Sequence, residues 1–198
     1  MNLALFDFDG TITKKDSFYD FMDFVRKKHK LIGLKVFLFL PIFVFSAIGL
    51  IPWGKAKELF LTFCFKGWQK KYFDELSKSY AETKLPKLIR QNAMEYLEKH
   101  RLNGDRIVVV TASLDSWIFS WCQENEVELI SSSLEVKDGV LSGKLIKADC
   151  NGIEKVKRIK ETLNLNDYET VYAYGDSAGD IEMLELADTA YYKWEKRV

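Results

Sequence analysis

LALFDFDGT, the sequence of residues 3–11, begins as an apolar run and ends in two aspartates, a glycine and a threonine. A short apolar run that stops at polar residues is typical of a buried parallel strand that opens into a loop. In an extended chain, side chains at i and i+2 lie on one face. We therefore expect Asp7 and Asp9 to meet one ligand while Phe8 enters the core.

Two later segments have the same layout. Residues 107–110 are Ile-Val-Val-Val and lead into Thr111, and residues 170–174 lead through a glycine into Asp176. Strands that alternate with helices form parallel sheets, in which ligands bind beyond the carboxyl ends of the strands. We therefore predict an α/β fold, a Rossmann-like parallel sheet, with a site at the edge where Asp7, Thr111 and Asp176 meet.

The distance between the first two predicted strands indicates an insertion. About a hundred residues separate them, whereas one crossover helix needs about a dozen. We predict that residues 14–85 form an inserted α-helical cap and that residues 1–13 and 86–198 form the core. Within the core, residues 134–146 alternate around Asp138 and a glycine, which predicts a β-hairpin.

The expected site is rich in carboxylates. Asp180 lies one helical turn after Asp176, so these two residues, Asp7 and Asp9 converge on the same edge of the sheet. Like charges at close range are unfavourable unless a cation lies between them or one is protonated. Oxygen ligands of this kind suit Mg²⁺ and not zinc. The sequence therefore predicts a Mg²⁺ site.

Composition excludes several other classes of function. Lys and Arg number 29, as do Asp and Glu, so no overall charge attracts nucleic acid and we expect no such partner. Three widely spaced cysteines fit neither a disulfide framework nor a zinc site. The N-terminal residues lack a basic segment, so we expect no signal peptide and a cytoplasmic protein. His100, within a charged stretch, is expected at a solvated helix end.

Four sequence blocks carry a resemblance to a known family. DFDGT, VTAS, NGIEKVKRI and GDSAGD occur in this order, and in order and spacing they resemble the four motifs of the haloacid-dehalogenase superfamily. The long insertion after the first block resembles the phosphoserine-phosphatase-like branch, the subfamily IB hydrolases. The resemblance implies an enzyme that hydrolyses phosphoric monoesters.

The resemblance also implies a role for each matching residue. Asp7 would attack phosphorus and form an aspartyl-phosphate. Asp9 would serve as acid and base and ligate Mg²⁺ through its backbone carbonyl. Lys155 would neutralise the nucleophile and the phosphoryl group. Asp176 would bind Mg²⁺ directly, and Asp180 would hold a metal-bound water or orient Lys155.

Substrate contacts follow from the same resemblance. Thr111 and Ser113 would bind phosphate oxygens, with Gly10 beside them. In phosphoserine phosphatases an acidic residue soon after the first motif binds the substrate amine, and Asp16 stands at that place. A cap arginine that would bind the substrate carboxylate is missing, because no arginine occurs between Arg26 and Arg90.

The third block departs from the phosphoserine phosphatases. There the catalytic lysine often directly precedes a glycine, whereas here Asn151 does. We assign the role to Lys155, on the first turn of the following helix, because Lys157 lies on another helical face, about 200° away.

The cap contains an unusual apolar stretch. Residues 36–51 hold no charged residue and are rich in Phe, Leu and Ile. Basic residues precede this stretch with no acidic residue between them: Arg26, Lys27, Lys28, Lys30 and Lys35. Trp53 and Trp68 follow it. Basic residues and tryptophans around an apolar stretch are typical of a membrane interface.

Two interpretations of this stretch stay open. A single transmembrane span is excluded, because Asp7 and Asp176 would lie on opposite sides of the bilayer. The stretch is either buried within the cap or a homodimer, or it is a monotopic element on an anionic membrane surface, which places the protein peripherally on the inner face of the membrane. In the second case we expect Phe39, Phe43 and Phe45 to contact lipid.

The choice between these interpretations bears on the substrate. A membrane-facing cap favours a lipid phosphate, and certain bacterial phosphatidylglycerophosphate phosphatases resemble this chain in having such a cap. A soluble cap favours a small metabolite such as phosphoserine or histidinol phosphate. A third alternative is a membrane-associated binding protein without turnover, which the filled motif positions argue against.

Overall fold

The computed structural model describes residues 1–197. The strands are β1 (Leu3–Phe6), β2 (Arg106–Leu114), β3 (Glu128–Ser132), β4 (Leu134–Lys137), β5 (Val140–Leu145), β6 (Val171–Gly175), β7 (Thr189–Tyr192) and β8 (Glu195–Lys196). The helices are α1 (Ser17–Lys28), α2 (Lys30–Ala47), α3 (Trp53–Phe65), α4 (Lys70–Thr83), α5 (Gln91–Leu102), α6 (Asp115–Glu124), α7 (Ile153–Thr162) and α8 (Ile181–Leu184).

Six strands form the central sheet, in the order β3-β2-β1-β6-β7-β8. All neighbouring pairs are parallel except β7 with β8. The predicted α/β fold with a Rossmann-like parallel sheet is therefore confirmed. The carboxyl ends of β1, β2 and β6 lie side by side, which brings the polar residues that follow these strands to one edge.

The first strand is buried on both faces. Leu3 and Leu5 pack into one apolar core with Val108 and Ile159, while Phe6 packs into the core on the opposite face of the sheet. All of these residues are almost fully buried. Burying one such side chain contributes about 1.5 to 3 kcal/mol, which explains why an uninterrupted apolar run forms the centre of the sheet.

Helices α1 to α4 occupy most of residues 14–85, the segment predicted as the cap. Its two ends lie side by side. Thr13 forms an antiparallel bridge with Ile89, and the Lys14 N–H donates to the Leu88 carbonyl at 2.7 Å. The segment thus leaves and rejoins the sheet at one place.

An aromatic cluster joins these helices to the sheet. Phe21 of α1 stacks on Trp117 of α6 with ring centroids 4.3 Å apart. Phe73 and Tyr80 of α4 contact the same phenylalanine edge to face, at 5.8 and 5.3 Å. Edge-to-face and stacked pairs add stability beyond the area they bury, so these rings hold α1 and α4 against the core.

Helix α2 is long, apolar and mostly uncovered. It is the one helix among the described residues that is long and apolar enough to cross a membrane, with a mean hydropathy of 1.9, and only 11% of it is buried. The membrane interpretation expects Phe39 to contact lipid, and for this residue it is wrong. Phe39 is 8% exposed and packs on Phe60 of α3, because the seven-residue spacing puts it on the same face as the buried Ile32.

The predicted hairpin at residues 134–146 is confirmed. Strands β4 and β5 pair around Asp138 and Gly139, whose φ angles are 50° and 76°. Positive φ at both central residues is what a tight two-residue hairpin turn requires. The hairpin supports α3, because the Thr62 hydroxyl donates to the Gly143 carbonyl at 2.9 Å.

The expectation that His100 is solvated is wrong. Its side chain is buried, with Nδ1 2.7 Å from Asp105 Oδ2 and Nε2 2.8 Å from the Tyr174 hydroxyl. The flanking charged residues of α5 face solvent, but His100 points inward to partners that come from the following turn and from β6. It holds α5 against the sheet.

Candidate active site

The residues predicted at the strand ends line one cavity of about 570 Å³ at the carboxyl edge of the sheet. Asp7 follows β1, Thr111 is the sixth of the nine residues of β2, and Asp176 follows β6. Lys155 reaches the same cavity from the first turn of α7. The parallel order of the sheet therefore brings together groups that lie far apart in the sequence.

A buried lysine links two of the carboxylates. Lys155 Nζ donates to Asp7 Oδ1 at 2.5 Å and to Asp180 Oδ1 at 2.6 Å, and its side chain is 1% exposed. Burial alone would lower the pKa of Lys155, but the two carboxylates raise it above its ordinary value. The lysine is therefore charged. Lys157 lies at the surface, where its nearest ionic partner is Glu154.

The two carboxylates differ in their electrostatic environment. Burial raises the pKa of Asp7 well above its usual value, against the opposing effect of Lys155. Burial also opposes ionisation of Asp180, but Lys155 and hydrogen bonds from Ser177 hold its pKa below the usual value. Lys155 and Ser177 therefore favour the ionised form of Asp180, whereas burial opposes ionisation of Asp7.

Three carboxylates at this place could hold a metal ion. Oxygens of Asp7, Asp176 and Asp180 all lie within 4.8 Å of one another. Lys155 pairs with Asp7 and Asp180 but not with Asp176, and burial followed by the charge of Asp180 raises the pKa of Asp176. An oxygen-only set with surplus negative charge fits a hard divalent cation. The Asp9 carboxylate is not in this group.

Asp9 lies in a wound turn and not in the expected strand extension. The turn spans Phe8–Ile12, and Phe8 is buried as predicted. Asp9 Oδ1 accepts from the Ser17 N–H at 2.6 Å, and Oδ2 accepts from the Ser113 hydroxyl. The start of α1 and the end of β2 therefore fix the carboxylate of Asp9 inside the cavity.

Three residues predicted to bind the substrate, Thr111, Ser113 and Gly10, line the cavity but have different hydrogen-bond partners and neighbours. Thr111 is buried against the cavity, and its Oγ1 accepts from the Ser113 N–H at 3.0 Å. Ser113 lines the cavity too, but its hydroxyl serves Asp9. Gly10 adopts φ 84°, and a Cβ there would lie 2.3 Å from Asp176 Oδ2. Only glycine leaves room for that carboxylate.

Asp16 stands at the mouth of the cavity and caps α1. Its Oδ1 accepts from the N–H groups of Phe18 and Tyr19 at 2.8 and 3.2 Å. Desolvation by the surrounding walls, and then the charge of Asp9, raise its pKa to about 6. Oδ1 is therefore engaged in the helix cap, which leaves Oδ2 outside these two hydrogen bonds, and Asp16 lines the cavity.

Comparison with known proteins agrees with this geometry. The family model described as haloacid dehalogenase-like hydrolase matches residues 4–185. The chain belongs to this family. The sequence resemblance is therefore confirmed, and so is the prediction that the protein is an enzyme, a hydrolase.

Similar proteins cover nearly the whole of this haloacid dehalogenase-like hydrolase. Protein CicA of Caulobacter vibrioides is 32% identical over 194 residues, which are 96% of this chain and 85% of CicA. The structure of a protein of unknown function from Bordetella pertussis Tohama I has a TM-score of 0.85 at 21% identity and covers 96% of this chain and 89% of its own. A substrate-bound phosphoserine phosphatase has a TM-score of 0.63 at 20% identity, with 96% and 84% covered. The two structures share the fold.

The haloacid dehalogenase-like hydrolase has cavity residues that were not identified from the sequence. Lys57 of α3 is buried and donates to the Ala112 carbonyl at 2.5 Å and to Asp149 Oδ1 at 2.7 Å. Its position was a detectable signal, because Lys57 shares the helix face of the apolar residues Phe60 and Leu61. Further cationic and polar cavity residues were missed as well: Lys14, Lys15, Arg90 and Asn151.

Proposed function

We propose that this hydrolase is a Mg²⁺-dependent phosphomonoester phosphatase that acts through an aspartyl-phosphate on Asp7. The observation that carries the proposal is the buried Lys155 ammonium between Asp7 and Asp180. A fixed positive charge beside a carboxylate can stabilise the negative charge of a transferring phosphoryl group. Thr111, in the same cavity, supplies a hydroxyl for a phosphate oxygen.

Asp7 and Asp176 would hold the Mg²⁺ directly, with Asp180 close by. When bound, the cation offsets the repulsion between carboxylates and phosphate. The donor set fits, because three carboxylates lie together and only two of them pair with the Lys155 ammonium. Asp9 would contribute its backbone carbonyl.

The chain's own residues account for two displacements at phosphorus. In the first, a carboxylate oxygen of Asp7 forms a bond to phosphorus while the ester P–O bond breaks, and Asp9 gives its proton to the departing alkoxide. In the second, Asp9 takes a proton from water, the water oxygen bonds to phosphorus, and the bond to Asp7 breaks. The hydrogen bonds from Ser17 and Ser113 aim Asp9 for both steps.

Apolar walls favour a lipid phosphate as the substrate. Phe18 and Trp53 are apolar residues of the cavity wall. Phe18 also borders a second cavity of about 280 Å³ between α1, α2 and α3, which includes Met22 and Phe43. A substrate whose phosphate is held at Asp7 could therefore place an apolar chain against Phe18 and Trp53.

A small soluble phosphomonoester is the second candidate, and the cationic residues of the cavity favour it. Lys57 and Arg90 line the cavity and could bind a substrate carboxylate. They would take the place of the cap arginine that this chain lacks. Asp16 could bind an amine through its free oxygen. Phosphoserine and histidinol phosphate represent this class.

Replacing the nucleophile tests the proposal. Asp7→Asn should lower phosphate release by more than about a hundredfold, because an amide keeps the shape but cannot attack phosphorus. Release would be measured on lysophosphatidate, phosphatidylglycerophosphate, phosphoserine and histidinol phosphate. Asp138→Asn is the matched control, since asparagine before glycine suits the hairpin turn. If the Asp7→Asn protein keeps more than about a tenth of the wild-type rate, Asp7 is not the nucleophile.

Metal removal is the second arm of that experiment. With excess chelator the wild-type protein should lose activity, and added Mg²⁺ should restore it, because the carboxylates otherwise repel the phosphate. Full activity in chelator would contradict the Mg²⁺ assignment. Comparing the rates on the four substrates distinguishes a lipid phosphate from a soluble phosphate as the substrate. This comparison does not depend on the result of the chelator experiment.

A further inference from the structure

Helix α2 presents two apolar faces, and only one of them is packed. The inward face contains Ile32 and Phe39, which are 2% and 8% exposed. The opposite face is uncovered. We call it the outer face of α2 and include Ile48, which directly follows the helix. The residues of the outer face are between 45% and 74% exposed: Leu31, Leu34, Leu38, Phe45 and Ile48.

The outer face is unlike a helix surface in water. A helix at the surface of a soluble protein carries polar residues opposite its buried stripe, whereas residues 36–51 contain no charged residue at all. Exposed apolar residues continue beside the outer face at Phe37, Val44 and Leu50 and on α3 at Phe63. A contiguous apolar area of this kind marks an interaction surface.

Basic residues precede and follow the apolar stretch. Between Asp23 and Glu58 the chain holds no acidic residue, and apart from the buried Lys57 it holds six basic ones: Arg26, Lys27, Lys28, Lys30, Lys35 and Lys55. Lys66 lies at the end of α3. Among the described residues, Lys28, Lys30 and Lys66 are exposed and form no ion pair. A partner with negative charge around an apolar layer would complement this pattern.

A second copy of the chain fits this surface poorly. Two copies joined through the outer face would bring the basic residues of both copies into one interface, where the neighbouring acidic residues Asp23 and Glu58 are already paired within each copy. Like charges placed together across an interface oppose association. Anionic lipid headgroups would instead neutralise the basic residues while the acyl chains cover the apolar residues.

The packing of α2 decides how it would meet a bilayer. Its inward face is held by Phe60 of α3, with ring centroids 5.1 Å from Phe39 and 5.1 Å from Phe43. A helix that crossed the bilayer would have to give up these contacts. We propose that the outer face of α2 docks the protein on an anionic lipid surface, with the helix lying in the plane of the membrane.

This orientation brings the catalytic cavity near the lipid. Trp53 lines the cavity, packs on Phe43 with ring centroids 5.6 Å apart, and is itself 38% exposed. Tryptophan favours the boundary between headgroups and acyl chains. The docked protein therefore holds the cavity wall at the level where the headgroups lie.

Vesicle sedimentation tests the docking. Wild-type protein should bind vesicles made of equal parts phosphatidylcholine and phosphatidylglycerol, and binding should weaken as salt rises. A variant with Leu34→Ser, Leu38→Ser and Phe45→Ser should bind roughly a hundredfold more weakly, since three apolar side chains no longer leave water. The matched control places serine at three exposed apolar sites outside α1 to α4: Leu102, Phe119 and Ile146.

A second variant tests the charge. Replacing Lys28, Lys30 and Lys66 by Gln should weaken binding to anionic vesicles by roughly tenfold or more, and leave the residual binding less sensitive to salt. Its control carries Gln at exposed, unpaired lysines elsewhere: Lys87, Lys99 and Lys160. Circular dichroism should show the same helix content and melting temperature for all four variants.

Three outcomes would overturn the docking. Wild-type protein that ignores anionic vesicles at low salt would do so, as would a serine variant that binds as tightly as wild type. A wild-type dimer that ignores vesicles and becomes a monomer in the serine variant would assign the outer face to a second copy. The docking does not depend on the proposed catalysis, because Asp7→Asn protein should bind vesicles like wild type.

Discussion

At the residue scale, Gly10 decides whether the carboxylates can converge. Its φ of 84° closes the turn after β1, and the place of its missing Cβ is taken by Asp176 Oδ2. The glycine therefore allows the positive φ of the turn and also leaves space for the Asp176 carboxylate. Gly104 also has a positive φ, of 70°, but nothing lies within 4 Å of the place where its Cβ would be.

This contrast gives a paired prediction. Gly10→Ala should lower phosphate release by roughly a hundredfold, because a displacement of Asp176 by about 1 Å misaligns the site. Gly104→Ala should lose about 1 kcal/mol of stability from the unfavourable φ and keep its activity. Initial rates and urea unfolding curves of both variants provide the measurement. Equal rates for the two variants would show that Asp176 has room to move.

At the scale of elements, one buried ion pair ties α3 to the core. Lys57 and Asp149 meet at 2.7 Å with side chains that are 5% and 3% exposed, and the Ser132 hydroxyl also donates to Asp149 at 2.9 Å. The second oxygen, Asp149 Oδ2, is buried without a hydrogen-bond partner. The carboxylate therefore relies on Lys57 for its charge balance.

Removing that lysine should be costly. Lys57→Met should lower the free energy of unfolding by about 3 to 5 kcal/mol, because the Asp149 carboxylate stays buried without its cation. Adding Asp149→Asn should recover part of the loss. Lys55→Met is the control, since Lys55 is exposed and its pair with Glu58 contributes at most about 1 kcal/mol. Similar losses at positions 55 and 57 in urea unfolding would contradict this tether.

At the scale of the whole molecule, the sheet and the meeting of Asp7, Thr111 and Asp176 could be predicted from the sequence. Each lies at or just after the end of an apolar run, and parallel strands place such ends together. Pairs that depend on distant segments could not be predicted. Lys57 meets Asp149 across 92 positions of the chain, and no local pattern indicates that distance.

The exposure of α2 was beyond sequence analysis for another reason. A helix that is apolar all round has the same pattern whether protein or lipid covers it. Only the positions of α1 and α3 show which face is packed. His100 was misjudged because its charged neighbours in α5 indicate solvent, while its partner Tyr174 comes from β6.

Burial of the thiols gives a prediction for the entire fold. Burial raises the pKa of Cys64 and Cys122 to about 12 and that of Cys150 to about 11, against an ordinary thiol value of 9.0. The native protein should therefore react slowly with a thiol reagent at neutral pH, and all three thiols should react at the rate of unfolding. A thiol that reacts at once in native protein would contradict this burial.

The same pKa shifts fix the sign of a pH effect. The folded thiols hold their protons above pH 9, where unfolded thiols release theirs, so the stability that they contribute is present below about pH 9. It is lost as the pH rises toward their folded values. Urea unfolding midpoints measured from neutral to alkaline pH should fall in that range.

The paired ends of the segment between β1 and β2 bear on how such proteins diversify. Thr13 and Ile89 lie opposite each other, so the intervening helices can lengthen, shorten or be exchanged by recombination without moving either strand. Selection can then change what the inserted helices bind, while Asp7 and Thr111 keep their positions. Proteins descended from one ancestral core could in this way acquire new substrates, or gain and lose binding to a membrane surface, through changes confined to a single insertion.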